Sequence, residues 1–439
     1  MSIIQSKYNI WVGNILYNSF TDKAISFLKD EIYDIKCLLN EPNVYEQDNI
    51  NLISTFVNLG FLINSDFNEL DYILFKNRVN NFQKNYYHLT INPTLQCNYK
   101  CWYCIVEEVN TKYEYRRMDD LTIEKVKNHI KHMVFVQKIK SLHIDWFGGE
   151  PLMYFYEVVF PISSYAKELC YKNNVQFSNH VTTNAFYIDS KMIKHFKQIS
   201  LNSFQIPIDG SEKKHNLVKN INGIGHYRNI LDTISNILIL NPNSQIILRI
   251  NYDSSTLKNA KDIIKDLNIR EDLKKKVFVD FQRVWQVKLC KDENGNNSSL
   301  IELKTSFEKA GYNTSYFALG RNKTYTRCYA DSFFHRVINY DGKVYKCSAR
   351  DYSDELCIGV INDEGEMILN NKILSKMFDD VPFRNKLCLN CVKLPLCLGP
   401  CIQKYYENKI NKSSFECLFD YSEISFETYI NSKVVKINS

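Results

Sequence analysis

Between Tyr86 and Leu289 the chain alternates short apolar runs with longer stretches whose apolar residues fall on one helical face. The runs at 87–92, 141–147, 175–182, 203–208, 245–252 and 276–285 predict strands, because each is brief and rich in β-branched or aromatic residues. The stretches at 123–138, 155–171, 189–198, 226–240 and 257–267 predict helices, the first of them capped by Asp119, Asp120 or Thr122. Residues 212–225 read as a long loop, with Lys213, Lys214, His215 and Lys219 giving it a basic, solvated character. Six strands alternating with helices imply a parallel sheet with right-handed crossovers.

The flanking segments carry different patterns. Residues 8–17 predict two short strands about the turn Val12-Gly13-Asn14, followed by helices at 23–30 and 48–59 and a strand at 61–64. Gly60 suits the stop of the second helix. Residues 291–299 are polar and turn-rich, as in a linker. The expected division is therefore 1–85, 86–290 and 291–439.

Composition narrows the class. With 439 residues and 45% hydrophobic content the chain can bury a large core. No stretch is long and apolar enough to cross a bilayer, and Met1 to Tyr17 lacks an export pattern, so a cytoplasmic location without membrane contact is expected. The net charge of +6 is modest, and no basic block with interleaved aromatics predicts a nucleic-acid partner. Fourteen cysteines in such a chain argue for metal ligation over disulfides. Cys37 and Cys170, in predicted helices, read as packing residues.

The chemistry concentrates in two places. Cys97-x3-Cys101-x2-Cys104 follows the first strand of the alternating series directly, where α/β folds place ligand sites. Three close thiolates suit a soft metal, and with the next cysteine at Cys170 they would leave one coordination position open. A zinc knuckle lacking a ligand, or free thiols, are the plain alternatives. Gly148-Gly149-Glu150-Pro151 follows the second strand; the glycines permit close backbone approach, and the carboxylate can accept from an ammonium. Thr182-Thr183-Asn184 and Asp209-Gly210 end the third and fourth strands, and Arg249 and Asn251 share one face of the fifth. Near the C-terminus stand Cys328-x13-Gly342-x4-Cys347, Cys388-x2-Cys391-x5-Cys397-x3-Cys401 and Cys417. Seven thiols at these spacings exceed one tetrahedral zinc, leaving a two-cluster site or a pair of zinc ribbons.

The cysteine triplet, with the aromatic Tyr103 before its last member, resembles the signature of the radical S-adenosylmethionine (radical SAM) enzymes. Trp102 and Ile105 differ from the usual Pro and Tyr, at positions that bind no metal. The resemblance implies a partial (β/α)6 barrel in which Cys97, Cys101 and Cys104 hold a 4Fe-4S cluster whose open iron chelates SAM, giving a 5′-deoxyadenosyl radical. It implies SAM contacts from Tyr103, Gly148, Gly149, Glu150, Thr183, Asn184, Asp209 and Asn251. Arg249 either pairs with SAM's carboxylate or with a neighbouring acid, and Pro207 replaces the Ser usual before Asp209. The C-terminal cysteines resemble the SPASM domain, which implies two auxiliary 4Fe-4S clusters and three in all. Cys388, Cys391, Cys397 and Cys417 would hold one; Cys328, Cys347 and Cys401 would hold the other, one thiolate short. Arg321, Asn322 and Lys323 occupy the region where some relatives supply that ligand, which leaves Cys290, Cys357 or an open iron.

Residues 1–85 resemble the winged-helix-like peptide-binding modules that precede the core of maturases of ribosomally made peptides; an unspecialised cap on the barrel is the plain alternative. Together these resemblances imply an oxidoreductase that crosslinks a precursor peptide through a thioether or carbon-carbon bond, with flavodoxin or ferredoxin as reductant. A sulfatase-maturating, formylglycine-forming enzyme and a zinc-stabilised binding protein are the alternatives.

Overall fold

The computed structural model describes residues 2–106, 117–288, 290–315, 325–413 and 417–434. Six parallel strands lie side by side in chain order: β1 (Tyr86–Ile91), β2 (Ser141–Trp146), β3 (Gln176–Thr182), β4 (Leu201–Ile208), β5 (Gln245–Tyr252) and β6 (Val277–Arg283). Helices α1 (Asp120–Phe135), α2 (Phe160–Lys172), α3 (Ser190–Gln198) and α4 (Tyr227–Leu240) form crossovers between them. Asp119 and Asp189 cap α1 and α3 by accepting from the amides of Thr122 and Met192.

Alternation along the strands divides two faces. Leu142, Ile144 and Trp146 of β2, Phe204, Ile206 and Ile208 of β4, and Ile246, Leu248 and Ile250 of β5 are fully buried in the main core, with Ile130, Ile162 and Ile234 of the helices. The opposite positions are mostly polar: His143 and Asp145, Ser178 and His180, Ser203 and Gln205, Arg249 and Asn251, Asp280 and Gln282. A parallel sheet covered on both sides would be apolar on both faces. This one has one apolar face and one mostly polar face.

Two expectations for this region change. Residues 212–225 contain a helix, Glu212–Val218, and a two-residue hairpin, so the segment is not an open loop. The helix expected at 257–267 is split into Ser254–Asn259 and Asp262–Asp266, the first capped by Asp253.

The segment after residue 290 joins the same sheet. β7 (Asn313–Thr314) adds to β6 in parallel, and β8 (His335–Ile338) adds to β1 in parallel. Beyond β8 follow β9 (Lys343–Tyr345), β10 (Gly359–Ile361) and β11 (Met367–Leu369), each antiparallel to its neighbour. Among the described residues the sheet has eleven strands.

At the N-terminus, Asn9–Val12 and Ile15–Asn18 form the expected hairpin, but Lys23–Ser26 is its third strand, not a helix. Asn18 makes the turn: its amide donates to Ser6, Asn9 and the Gly60 carbonyl, while its oxygen accepts from the Thr21 amide and turns the chain back. The helices follow at Ile32–Asn40, Ile50–Leu59 and Glu69–Phe82, and Leu62–Asn64 pairs with Ile3–Gln5. Gly60 takes the left-handed conformation (φ 83°) that ends the second helix, as its sequence suggests. Tyr8 and Ile73 of this module pack with Val381, Phe383, Cys388, Leu394 and Leu398, so it rests on the cysteine-rich region.

Candidate functional site

The loop after β1 is held from below by the chain after β2. Gly149 N donates to Thr94 O (3.1 Å) and Glu150 N to Gln96 O (2.7 Å). A Cβ on Gly148, whose φ is 112°, would lie 2.3 Å from Thr94 O, and one on Gly149 would lie 2.0 Å from Gln96 O. Only glycine allows this approach. The two glycines thus seat the cysteine loop directly on the second strand's exit.

Glu150 is buried. Its carboxylate accepts from Thr183 Oγ1 (2.7 Å), Leu152 N (3.0 Å) and Asn184 N (2.8 Å). Burial pushes its pKa up to about 7, against the pull of these three bonds. The carboxylate therefore also ties the exits of β2 and β3 together. Asn184 continues the chain of contacts: its side-chain amide donates to Asn98 (2.8 Å) and lies 3.8 Å from Cys97 Sγ.

A second buried network centres on Tyr103, between Cys101 and Cys104. Its hydroxyl donates to Asp209 Oδ1 (2.6 Å) and accepts from Lys219 Nζ (2.7 Å) and Asn251 Nδ2 (3.0 Å). Lys219 also forms an ion pair with Asp209. Burial alone would raise the Asp209 pKa and lower that of Lys219; each charge outweighs the other's burial, leaving Asp209 below and Lys219 above its ordinary value. Arg249 Nε donates to Asn251 Oδ1 (3.0 Å), an amide oxygen on the same strand, where an acidic partner was the alternative expected from sequence.

Lys219 corrects the solvated reading of its segment: helix Glu212–Val218 turns it inward, where Asp209 compensates the charge. Position alone gave no signal of this, since its partner lies at the end of β4. His215 is likewise buried, with Nδ1 3.3 Å from the Asp209 amide.

The ten clustered cysteines fall into three groups. Cys97 is influenced by the negative potential of Cys101 and Cys104. Cys328 is influenced in the same way by Cys401 and Cys347, Cys388 by Cys391 and Cys417, and Cys397 by Cys388 and Cys391. Several sulfurs accept from the amide two residues on: Cys97 from Tyr99 (3.4 Å), Cys347 from Ala349 (3.4 Å), Cys391 from Lys393 (3.4 Å) and Cys397 from Gly399 (3.5 Å). Such bonds favour thiolate over thiol, whereas burial raises the Cys97, Cys328 and Cys397 pKa values. Mostly half-buried thiols supplied with amide donors fit iron-sulfur ligation.

Asp331, which sequence reasoning passed over, links two arms of one group. It accepts from Cys328 N (3.1 Å) and Ile402 N (2.8 Å), next to Cys401. Its place three residues after Cys328 was the available signal. Cys357 packs against the apolar cluster that includes Leu95 and Tyr352, and its thiol donates to Gly359 O (3.1 Å). Cys290 is exposed. Arg321, Asn322 and Lys323 lie outside the described residues. Cys170 is buried as expected, whereas Cys37 is only half-buried. Among the described residues no helix is long and apolar enough to cross a membrane.

Residues 91–252 match the family model of the Radical SAM superfamily. A protein of Methanocaldococcus jannaschii, Uncharacterized protein MJ0907, is 25% identical over 299 residues, covering 66% of this chain and 93% of its own. Among solved structures, Streptococcus suis SuiB bound to precursor peptide SuiA aligns with a TM-score of 0.52 and 14% identity, over 94% of this chain and 98% of SuiB. Native anSMEcpe with bound AdoMet and Cp18Cys peptide aligns with a TM-score of 0.51 and 18% identity, over 75% of this chain and 92% of its own. The cysteine triplet, the Gly-Gly-Glu-Pro turn and β2 to β5 lie inside the span that matches the Radical SAM superfamily, and the fold is similar to those of SuiB and anSMEcpe over most of the chain.

Proposed function

We propose that this enzyme modifies a ribosomally made precursor peptide, joining two of its side chains through a thioether or carbon-carbon bond. In this reading Cys97, Cys101 and Cys104 hold the 4Fe-4S cluster that binds SAM. Gly148, Gly149, Glu150, Thr183, Asn184, Asp209, Arg249, Asn251 and Tyr103 form the walls of the SAM site. Cys388, Cys391, Cys397 and Cys417 hold one auxiliary 4Fe-4S cluster, and Cys328, Cys347 and Cys401 the other. When bound, the first cluster and SAM supply the 5′-deoxyadenosyl radical that removes a hydrogen from the substrate. A flavodoxin or ferredoxin class protein supplies the electron.

The chain's own residues supply position and dryness. Tyr103 fixes the cysteine loop through Asp209, Lys219 and Asn251. Glu150 holds the exits of β2 and β3 at one spacing. The N-terminal module offers a groove of about 400 Å³ lined by Val57, Leu62, Ile63, Asn64, Asp66 and Phe67, beside the strand Leu62–Asn64. A leader segment laid along a strand in this way gains main-chain hydrogen bonds and side-chain pockets.

The observation that carries the reading is the extent of the match to a structure described as bound to a precursor peptide, which spans 94% of this chain. The match to anSMEcpe with its bound Cp18Cys peptide spans 75% of this chain. Anaerobic reconstitution with iron and sulfide tests the reading, followed by iron per chain and 5′-deoxyadenosine released from SAM under a strong reductant. The expected result is iron equivalent to about three 4Fe-4S clusters with deoxyadenosine formed. Zinc in place of iron, with SAM intact, would overturn it in favour of a zinc-stabilised binding protein.

A further inference from the structure

Imidazoles and a carboxylate converge on the mostly polar face of the sheet, from residues that the proposed reaction does not use. His88 of β1 and His143 of β2 are direct register partners, and Asp145 follows on the same face of β2. His88 Nε2 lies 2.6 Å from Asp145 Oδ2, and His143 Nε2 lies 2.8 Å from Asp145 Oδ1. The three donor atoms are all within 4.8 Å of one another, and no other set of three or more His, Cys, Asp or Glu among the described residues meets that spacing. His88 sits three residues before the end of its strand, about 10 Å below the rim that carries the cysteine loop.

Two hydrogen-bonded imidazoles around one aspartate would be an ordinary structural triad. A second observation separates this cluster from one. His335 of β8 is the register partner of His88 on its other side. Its ring centroid lies 4.6 Å from that of His88, it is 0% exposed, and neither of its ring nitrogens has a hydrogen-bond partner. A buried polar group without a partner is costly. Burial also keeps this ring neutral, the form in which imidazole ligates metals. The surroundings supply an outer layer as well: His143 Nδ1 lies 2.6 Å from Ser178 Oγ, fixing which nitrogen faces Asp145.

We propose that His88, His143 and Asp145 bind a divalent cation of borderline softness, of the zinc class, beside the unpartnered ring of His335. The donor set is two imidazoles and one carboxylate with no thiolate, which suits zinc in preference to calcium or magnesium and differs from every cysteine group in the chain. Tyr329 packs on both His88 and His335 and adjoins Cys328, so the site stands next to that cysteine group. The site does not depend on which peptide, or which class of substrate, the enzyme acts on.

The test uses the full chain with its iron-sulfur sites loaded, washed with a chelator, then given Zn(II) and passed through a desalting column. Retained zinc is measured with iron, and the zinc shell is read by X-ray absorption. The expected result is about one zinc per chain with nitrogen and oxygen neighbours at about 2.0–2.1 Å, imidazole scattering, and no sulfur shell at about 2.3 Å. Asp145→Asn and His143→Ala should each retain at least about tenfold less zinc at unchanged iron content, the scale on which metal-site partners act. A wild-type chain that retains no zinc, a sulfur shell, or variants that retain as much as wild type would each overturn the proposal. If a variant loses iron too, the wild-type shell still decides.

Discussion

The hydroxyl of Tyr103 donates to Oδ1 of Asp209 across 2.6 Å, and so fastens the cysteine loop to the end of β4. Tyr103→Phe removes that donor and leaves Lys219 and Asn251 without their shared acceptor. It should cost about 1–3 kcal/mol of stability. Deoxyadenosine formation should fall about tenfold with iron content kept, as for an outer partner of a metal site. Urea unfolding and product assay measure the two effects separately.

Lys219→Met should be more severe, because it strands the Asp209 carboxylate in the interior. A loss of about 3–5 kcal/mol is expected from breaking one side of a buried pair. The double variant Asp209→Asn, Lys219→Met should recover much of that stability while leaving the loop less firmly held. A double variant no more stable than the Lys219 single variant would show that the ion pair is not the source of the loss.

Gly148→Ala would place a methyl 2.3 Å from the Thr94 carbonyl at a φ that L-residues rarely adopt. The loop or the strand exit must then move, at a cost of roughly 2–5 kcal/mol. The damage should be local: iron bound through Cys97, Cys101 and Cys104 is lost, and iron bound through the later cysteines is kept. Iron per chain and Mössbauer spectra check this; uniform loss of iron would contradict it.

Glu150 gives a pH dependence of definite sign. Burial raises its folded pKa from 4.5 to about 7. Between those values the unfolded chain ionises while the folded chain keeps its proton. The stabilisation is therefore complete below about 4.5 and lost as pH rises through about 7. Urea midpoints of the metal-free chain should fall across this window. In Glu150→Gln that component of the slope should disappear, on top of a constant loss of about 1–3 kcal/mol because one amide now faces another.

Two cysteine variants separate the roles proposed for the groups. Cys101→Ala should abolish SAM cleavage. Cys391→Ala should spare some cleavage while losing crosslinked peptide, provided iron analysis shows the Cys97 group still loaded. Cleavage that persists in Cys101→Ala would rule out the assignment of the first group.

The alternation of parallel strands and helices was legible because its pattern is local. Strand runs, crossover lengths and the cap at Asp119 all lie within a few residues of the elements they define. What stayed hidden depended on partners distant in sequence. Residues 23–30 read as a helix until the turn at Asn18, held by Ser6 and Gly60, sends 23–26 back as a third strand of the hairpin. Lys219 looks solvated until Asp209 stands beside it. His335 belongs to a segment that reads as part of a separate region, yet its strand completes the edge beside β1. No periodicity in either stretch announces that pairing.

That last pairing bears on how the molecule is made. β1 is synthesised early, but the strand on its outer side comes from β8; Asn92 and Asn339, which hydrogen-bond just beyond the pair, are 247 positions apart. While the ribosome is still producing the middle of the chain, the edge of β1 has its backbone donors and acceptors exposed, as an open template for another strand. Contacts so distant in sequence also slow folding. A chain stopped after β6 would keep all six strands of the barrel and still leave that edge bare. The segment after residue 290 thus covers the sheet's own edge, and truncations before residue 338 should aggregate during expression.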